Sequence, residues 1–174
     1  MSMARVIGPT PPGTGVIVTV RMDFVGGILA RNWLLSSCDS QFGTSRMMEI
    51  LLVDDNTDYL QLMKEALLSS GYDVITAEDG IEGCEKLTSN DIDLIISDIR
   101  MPRLDGIKLH SFARELGRYK NIQFVFLSAY KDVYNNVPGI NPELDRFLDK
   151  TTPVNEIVRL VDQLLFRSFA GKWI

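Results

Sequence analysis

The run E-I-L-L-V-D-D-N, Glu49–Asn56, drives four consecutive apolar residues, Ile50–Val53, straight into two carboxylates, Asp54 and Asp55. A short apolar run bounded by polar residues reads as a strand buried on both faces, the kind found in parallel sheets. Carboxylates are costly to bury without a partner. A buried strand that ends on two of them therefore asks for positive charge at its end.

Outward from that strand, strands and helices alternate. Thr57–Ser70 carries Leu60, Met63 and Leu67 at helical spacing and closes on Gly71. Tyr72–Ala77 is a short strand with β-branched Val74, Ile75 and Thr76, and Asp79 with Glu82 has the form of a capping box for a helix reaching about Leu87. Asp93–Ser97 is an apolar strand ending at Asp98, and Asp105 caps a helix through Leu109, Phe112 and Leu116 that Gly117 stops. Ile122–Leu127 is a strand ending at Ser128, and Arg146–Leu148 is a short fifth one. Thr152, with Pro153 at the first helical position, opens a last helix through Val158, Val161 and Leu165. This order predicts an α/β fold: a doubly wound, five-stranded parallel sheet with helices on both faces. Between the fourth and fifth strands, Pro138, Gly139 and Pro142 confine any helix to about Lys131–Asn136.

The chain has 174 residues, 45% hydrophobic and 24% charged, enough for one domain with a real core and a tail. Its formal charge of −5 argues against direct nucleic-acid binding. Residues 1–46 hold Arg5, Arg21, Arg31 and Arg46 against Asp23 and Asp39, a balance of +2 that leaves −7 for the rest. The first 46 residues are expected to be a disordered N-terminal extension or a mis-assigned start, with the domain occupying 47–174. Two distant cysteines, Cys38 and Cys84, and a single histidine, His110, disfavour a disulfide framework, a zinc site and multi-histidine metal chemistry. No apolar run is long enough for a membrane span and no secretory signal opens the chain, so a cytoplasmic protein without membrane contact is expected.

In open α/β sheets the functional crevice lies beyond the carboxyl ends of the strands. Those ends carry Asp54, Asp55, Asp98, Ser128 and, after the fifth strand, Lys150. Three close carboxylates need a cation at neutral pH. Hard oxygen ligands without nitrogen or sulfur point to Mg²⁺, which typically shares its site with phosphate. Lys150 and Ser128 suit a phosphoryl group, as a point charge and a hydroxyl donor. Taken singly, Asp54 and Asp55 read as a helix cap and Lys150 as a solvated surface side chain; their matching strand-end positions favour a site. Asp105 and Gly106 read as turn and cap, His110 as a surface or boundary side chain, and Cys84 as inert near the buried face of its helix.

These residues resemble the receiver domain of two-component response regulators over roughly residues 48–168. The matching elements are V-D-D (Val53–Asp55), D-I-R-M-P-R-L-D-G (Asp98–Gly106), Ser128-Ala129 and F-L-D-K (Phe147–Lys150). Separations of 43, 30 and 22 residues between Asp55, Asp98, Ser128 and Lys150 agree with the family. The resemblance implies a flavodoxin-like sheet in the order 2-1-3-4-5. It also implies that Asp98 accepts a phosphoryl group from a sensor histidine kinase or phosphotransfer protein. Mg²⁺ would be held by Asp55, Asp98 and the Arg100 backbone carbonyl, with Asp54 acting through water. Lys150 would pair with the phosphoryl group, Ser128 would donate to it, and Phe147 would be the aromatic switch. Arg100 and Tyr130 would shield the acyl phosphate from water. A downstream protein partner would bind the face formed by the segment after the fourth strand with the last strand and helix. The implied role is a stand-alone switch rather than an enzyme, its only catalysis being its own phosphorylation and dephosphorylation. Thr151 stands where the family usually has proline, and Phe147 lacks a hydroxyl. The alternatives are a haloacid-dehalogenase-like small phosphohydrolase, disfavoured because Asn56 breaks the D-x-D pattern, and a phosphorylation-independent docking module.

Overall fold

A computed structural model describes residues 47–129 and 139–170. Strands β1 (Glu49–Val53), β2 (Asp73–Ala77), β3 (Leu94–Asp98), β4 (Gln123–Ser128) and β5 (Asp145–Asp149) form one parallel sheet in the order β2-β1-β3-β4-β5. Successive side chains of a strand point to opposite faces, so the continuous apolar runs supply two cores at once. On one face Ile50, Leu52, Ile96 and Val125 pack with Leu60, Met63 and Leu67 of α1 (Thr57–Ser69) and with Ile157 and Val161 of α4 (Val154–Ala170). On the other, Leu51, Val53, Ile95, Phe124 and Phe126 meet Leu87 of α2 (Gly80–Ser89) and Leu109 and Ala113 of α3 (Gly106–Glu115). Full burial of each large apolar side chain contributes about 1.5–3 kcal/mol, and this double layer fastens helices to both faces of the sheet.

That edge is organised by capped strand-to-helix turns. Asn56 Oδ1 accepts from the Tyr59 N–H at 3.1 Å and caps α1. Asp79 Oδ1 accepts from the Ile81 and Glu82 N–H groups at 2.8 and 3.0 Å and caps α2. Glu82 folds back onto the Glu78 N–H rather than the cap residue's own, a box displaced by one position. Asp105 Oδ1 accepts from the Lys108 N–H at 2.8 Å and caps α3. Such caps are worth about 1 kcal/mol each. Pro153 sits one position earlier than expected, its carbonyl accepting from Glu156 and Ile157 at the start of α4. Gly117 opens a short 3₁₀ turn, Gly117–Tyr119, because α3 has already ended at Glu115 with Leu116 as its cap.

His110 departs from expectation: it is 1% exposed, not a surface or boundary side chain. Its Nε2 lies 3.1 Å from Asp145 Oδ1, to which Arg114 Nη2 also donates at 2.5 Å. The Asn141 N–H donates to Asp145 Oδ2 at 2.7 Å. The imidazole packs edge-on against Phe124 at 5.0 Å between centroids. Position 110 adjoins Leu109 on the sheet-facing side of α3, and its partner lies 35 residues away. No local pattern signals that pairing.

No described helix is long and apolar enough to cross a membrane. The expectations for residues 1–46, for Tyr130 and for a helix over Lys131–Asn136 fall outside the described residues.

Candidate functional site

Adjacent parallel strands bring their carboxyl ends together, and β1 and β3 are neighbours. Asp54 follows β1 directly and its N–H still donates to Ala77 O at 3.1 Å, so the ladder carries it into the interior. Its side chain is fully buried. Asp54 Oδ1 accepts from the Asn56 N–H at 2.9 Å, and Oδ2 lies 2.8 Å from Lys150 Nζ. Asp98 closes β3 and is 6% exposed. Its Oδ1 accepts from the Ile99 and Arg100 N–H groups at 2.6 and 3.3 Å, and its Oδ2 accepts from Lys150 Nζ at 2.7 Å. One ammonium thus bridges two carboxylates that the sequence separates by 44 positions.

Lys150 reaches them because β5 pairs with β4: Ser128 lies beside Asp149, and the Lys150 N–H donates to Ser128 O at 3.0 Å. Thr151, in the place where the family usually has proline, secures the turn differently. Its N–H and its hydroxyl both donate to Asp149 Oδ1, at 2.8 and 2.7 Å. All described peptide bonds are trans.

The electrostatics follow from this packing. Burial pushes the Asp54 carboxyl above its ordinary value, and Lys150 with the Asn56 N–H only partly offsets it. For Lys150 burial acts downward, but its hydrogen bonds and charge attraction to Asp54 and Asp98 outweigh it and hold the ammonium above its ordinary value. Asp55, unlike the other two acids, is exposed. One carboxylate oxygen from each of Asp54, Asp55 and Asp98 lies within 4.8 Å of the others. An open depression of about 460 Å³ lies alongside, lined by Asp55, Arg100, Met101 and Pro102 among others.

The loop after Asp98 is folded back over the strand end. The Gly106 N–H donates to Ile99 O at 3.0 Å, and a Cβ on Gly106 would lie 2.1 Å from the Asp98 carbonyl oxygen. Only glycine lets α3 start so near the acid, a close-approach reason beyond turn formation. The loop is also tied to α2. The Gly80 N–H donates to Leu104 O at 3.1 Å, and Arg103, at φ 64, pairs with the buried Asp79. Ser128, 1% exposed, ends β4 next to this cluster. Phe147 on β5 is half-buried and stacks on Phe126 at 4.7 Å with an interplanar angle of 11°.

The structure therefore brings Asp54, Asp55, Asp98 and Lys150 together, with Arg100 on the rim of the depression, and sets Ser128 and Phe147 on the two neighbouring strands. Two further residues join them. Asn56 links Asp54 to α1 through the cap described above, a role its position between Asp55 and a helical run could have signalled. Tyr59 places its ring 5.5 Å from Lys150 Nζ, and nothing in its local sequence pointed there.

Comparison with known proteins agrees with this architecture. The model of the response regulator receiver domain matches residues 50–162. The transcriptional regulatory protein PrrA of Mycobacterium bovis is 36% identical over 118 residues, which are 68% of this chain and 50% of that protein. The alkaline phosphatase synthesis transcriptional regulatory protein PhoP of Bacillus subtilis is 34% identical over 122 residues, 69% of this chain and 49% of that protein. The chain thus spans about half the length of these relatives. Among solved structures, the response regulator TrrA of Thermotoga maritima, in complex with Mg²⁺ and BeF, superposes with a TM-score of 0.61 at 31% identity, over 68% of this chain and 99% of that one. A CheY-like receiver domain protein of Methanospirillum hungatei gives 0.66 at 25% identity, over 72% and 99%.

Proposed function

This chain belongs to the response regulator receiver domain family, and from that premise we propose that it is a phospho-acceptor switch whose acceptor is Asp98. The observation that carries the assignment is the single ammonium of Lys150 shared between Asp98 and the buried Asp54. The family match leaves the phosphohydrolase alternative without support.

The donor set fits Mg²⁺: carboxylate oxygens clustered within 4.8 Å, one of them from an exposed residue beside an open depression. Asp55, Asp98 and the Arg100 carbonyl would hold the ion, with Asp54 acting through water. When bound, it supplies neutralisation of phosphoryl charge. The chain's own groups do the rest. An Asp98 carboxylate oxygen attacks phosphorus, and the bond from phosphorus to the donor's leaving atom breaks. That atom is an imidazole nitrogen in a phosphohistidine or a carboxylate oxygen in acetyl phosphate, and it departs with the electron pair. Lys150 then exchanges its contact with Asp98 for one with a phosphoryl oxygen, and Ser128 donates to another. Phe147, without a hydroxyl, responds through its stack on Phe126. The donor is a histidine kinase or phosphotransfer protein, and the output is a change in binding of a protein partner at the face containing β5 and α4. A chain that starts at Met48 is expected to take up phosphate as the full chain does.

Incubation of the full chain with acetyl phosphate and Mg²⁺ tests the reading by intact mass and peptide mapping. One phosphoryl group on Asp98 is expected, abolished by Asp98→Asn and by chelation of the metal. Phosphate on Asp54, or uptake that survives Asp98→Asn, overturns it.

A further inference from the structure

The ammonium that bridges Asp54 and Asp98 is held from a third side. Tyr59 is the third residue of α1, and its ring centroid lies 5.5 Å from Lys150 Nζ, within the range at which a cation is attracted to an aromatic face. The placement is built rather than incidental. Asp54 Oδ1 accepts from the Asn56 N–H, and Asn56 Oδ1 accepts from the Tyr59 N–H. The Tyr59 ring meets Lys150, and Lys150 returns to Asp54 Oδ2 at 2.8 Å. The contacts close a ring of four residues.

The phenol is set up as a neutral face. Its hydroxyl oxygen is buried with no hydrogen-bond partner among the described residues. Burial, reinforced by the nearby Asp54 carboxylate, pushes its ionisation up from the ordinary value. A phenolate beside two carboxylates would add repulsion, whereas a neutral ring adds attraction for the cation without competing with the carboxylates for its hydrogen bonds. The lysine stem is long and flexible, with substantial rotamer freedom to lose. An ammonium confined between two acids and a ring is already placed where an arriving phosphoryl group needs it.

We propose that Tyr59 is a positioning residue for the phosphoryl-transfer step, its ring face holding Lys150 over the Asp54–Asp98 pair. This deepens the phospho-acceptor reading and rests on it. Tyr59 touches neither phosphoryl donor nor acceptor and acts through Lys150 alone.

The test compares full-length wild type, Tyr59→Phe and Tyr59→Leu, with phosphoryl uptake from acetyl phosphate measured across donor concentrations in saturating Mg²⁺. Tyr59→Leu is expected to slow uptake about three- to tenfold, the range a partly desolvated cation–π contact supports. Tyr59→Phe, which keeps the ring, is expected to restore most of the rate. A parallel cycle on beryllium fluoride affinity in Mg²⁺ adds Lys150→Ala and the double variant Lys150→Ala, Tyr59→Leu. The Tyr59→Leu effect is expected to vanish once Lys150 is gone, an outcome a merely structural role would not give. The proposal is overturned if Tyr59→Leu matches wild type. It is equally overturned if Tyr59→Phe is as slow as Tyr59→Leu, or if the leucine effect persists in full without Lys150. Any of these leaves the acceptor assignment standing, because wild-type uptake and its loss in Asp98→Asn are read in the same assay.

Discussion

Two buried charge clusters sit at opposite edges of the sheet. At the carboxyl edge Asp54 and Asp98 share one ammonium, Lys150, and the exposed Asp55 sets a third carboxylate within 4.8 Å of theirs. At the amino edge Asp145, which opens β5 beside Phe124 of β4, has its oxygens supplied by Arg114, His110 and the Asn141 N–H. Both central acids are buried, and burial alone raises a carboxyl in either place. At Asp54 burial wins and the carboxyl is raised; at Asp145 the hydrogen bonds and charges of His110, Asn141 and Arg114 outweigh it and the carboxyl is lowered. Satisfied charge fastens α3 and the turn before β5 to the sheet. At the other edge Lys150 and the Asn56 N–H offset the burial of Asp54 only in part, and a cation there would relieve the remainder.

The largest effect on folding is expected from Asp145→Ala. It leaves the Arg114 guanidinium without its carboxylate and His110 without a partner for Nε2, and breaking such a buried pair costs about 3–5 kcal/mol. Urea denaturation of the full chain reads it, and a loss below about 1 kcal/mol would erase the contrast between the clusters. Asp54→Asn should move stability the other way without metal, by about +1 kcal/mol. The substitution keeps an acceptor for the Asn56 N–H, removes a poorly compensated charge, and leaves Lys150 its contact with Asp98. The same variant should bind Mg²⁺ more weakly, so the gain shrinks or reverses as the metal is added.

The smallest effect is in the pH profile of stability without metal. Asp54 has a raised folded-state value, so the native state binds more protons than the unfolded chain between the two values. Stability therefore falls as pH rises through that window, which begins near the ordinary carboxyl value of about 4. Asp145 has a lowered value; its contribution is complete above about pH 4 and is lost as pH falls through the folded value. Denaturation midpoints from pH 7 to pH 3 should rise slightly before they drop. Asp54→Asn should remove the rise and leave the drop. An unchanged rise in that variant would assign it to another group.

Periodicity and chain order sufficed for the α/β class, for the strand ends and for the acids standing at them. Ile50–Val53 and Leu94–Ile96 are too apolar to face water on either side, and capping residues follow β1, β2 and the loop after β3. Burial is a one-dimensional signal of this kind, written into the side chains themselves. What tertiary structure alone decided are the pairings across the sheet. His110 looked like a boundary residue because its partner Asp145 lies 35 positions away. Nothing in the local sequence marked Tyr59, because its partner Lys150 comes from the far side of the sheet order. A buried polar group is stable only with its partner present. That partner is brought by strand order β2-β1-β3-β4-β5 and by the register that sets Asp149 beside Ser128, so chemistry confined to one stretch is readable there, and chemistry shared between distant stretches exists only once the sheet has closed the distance.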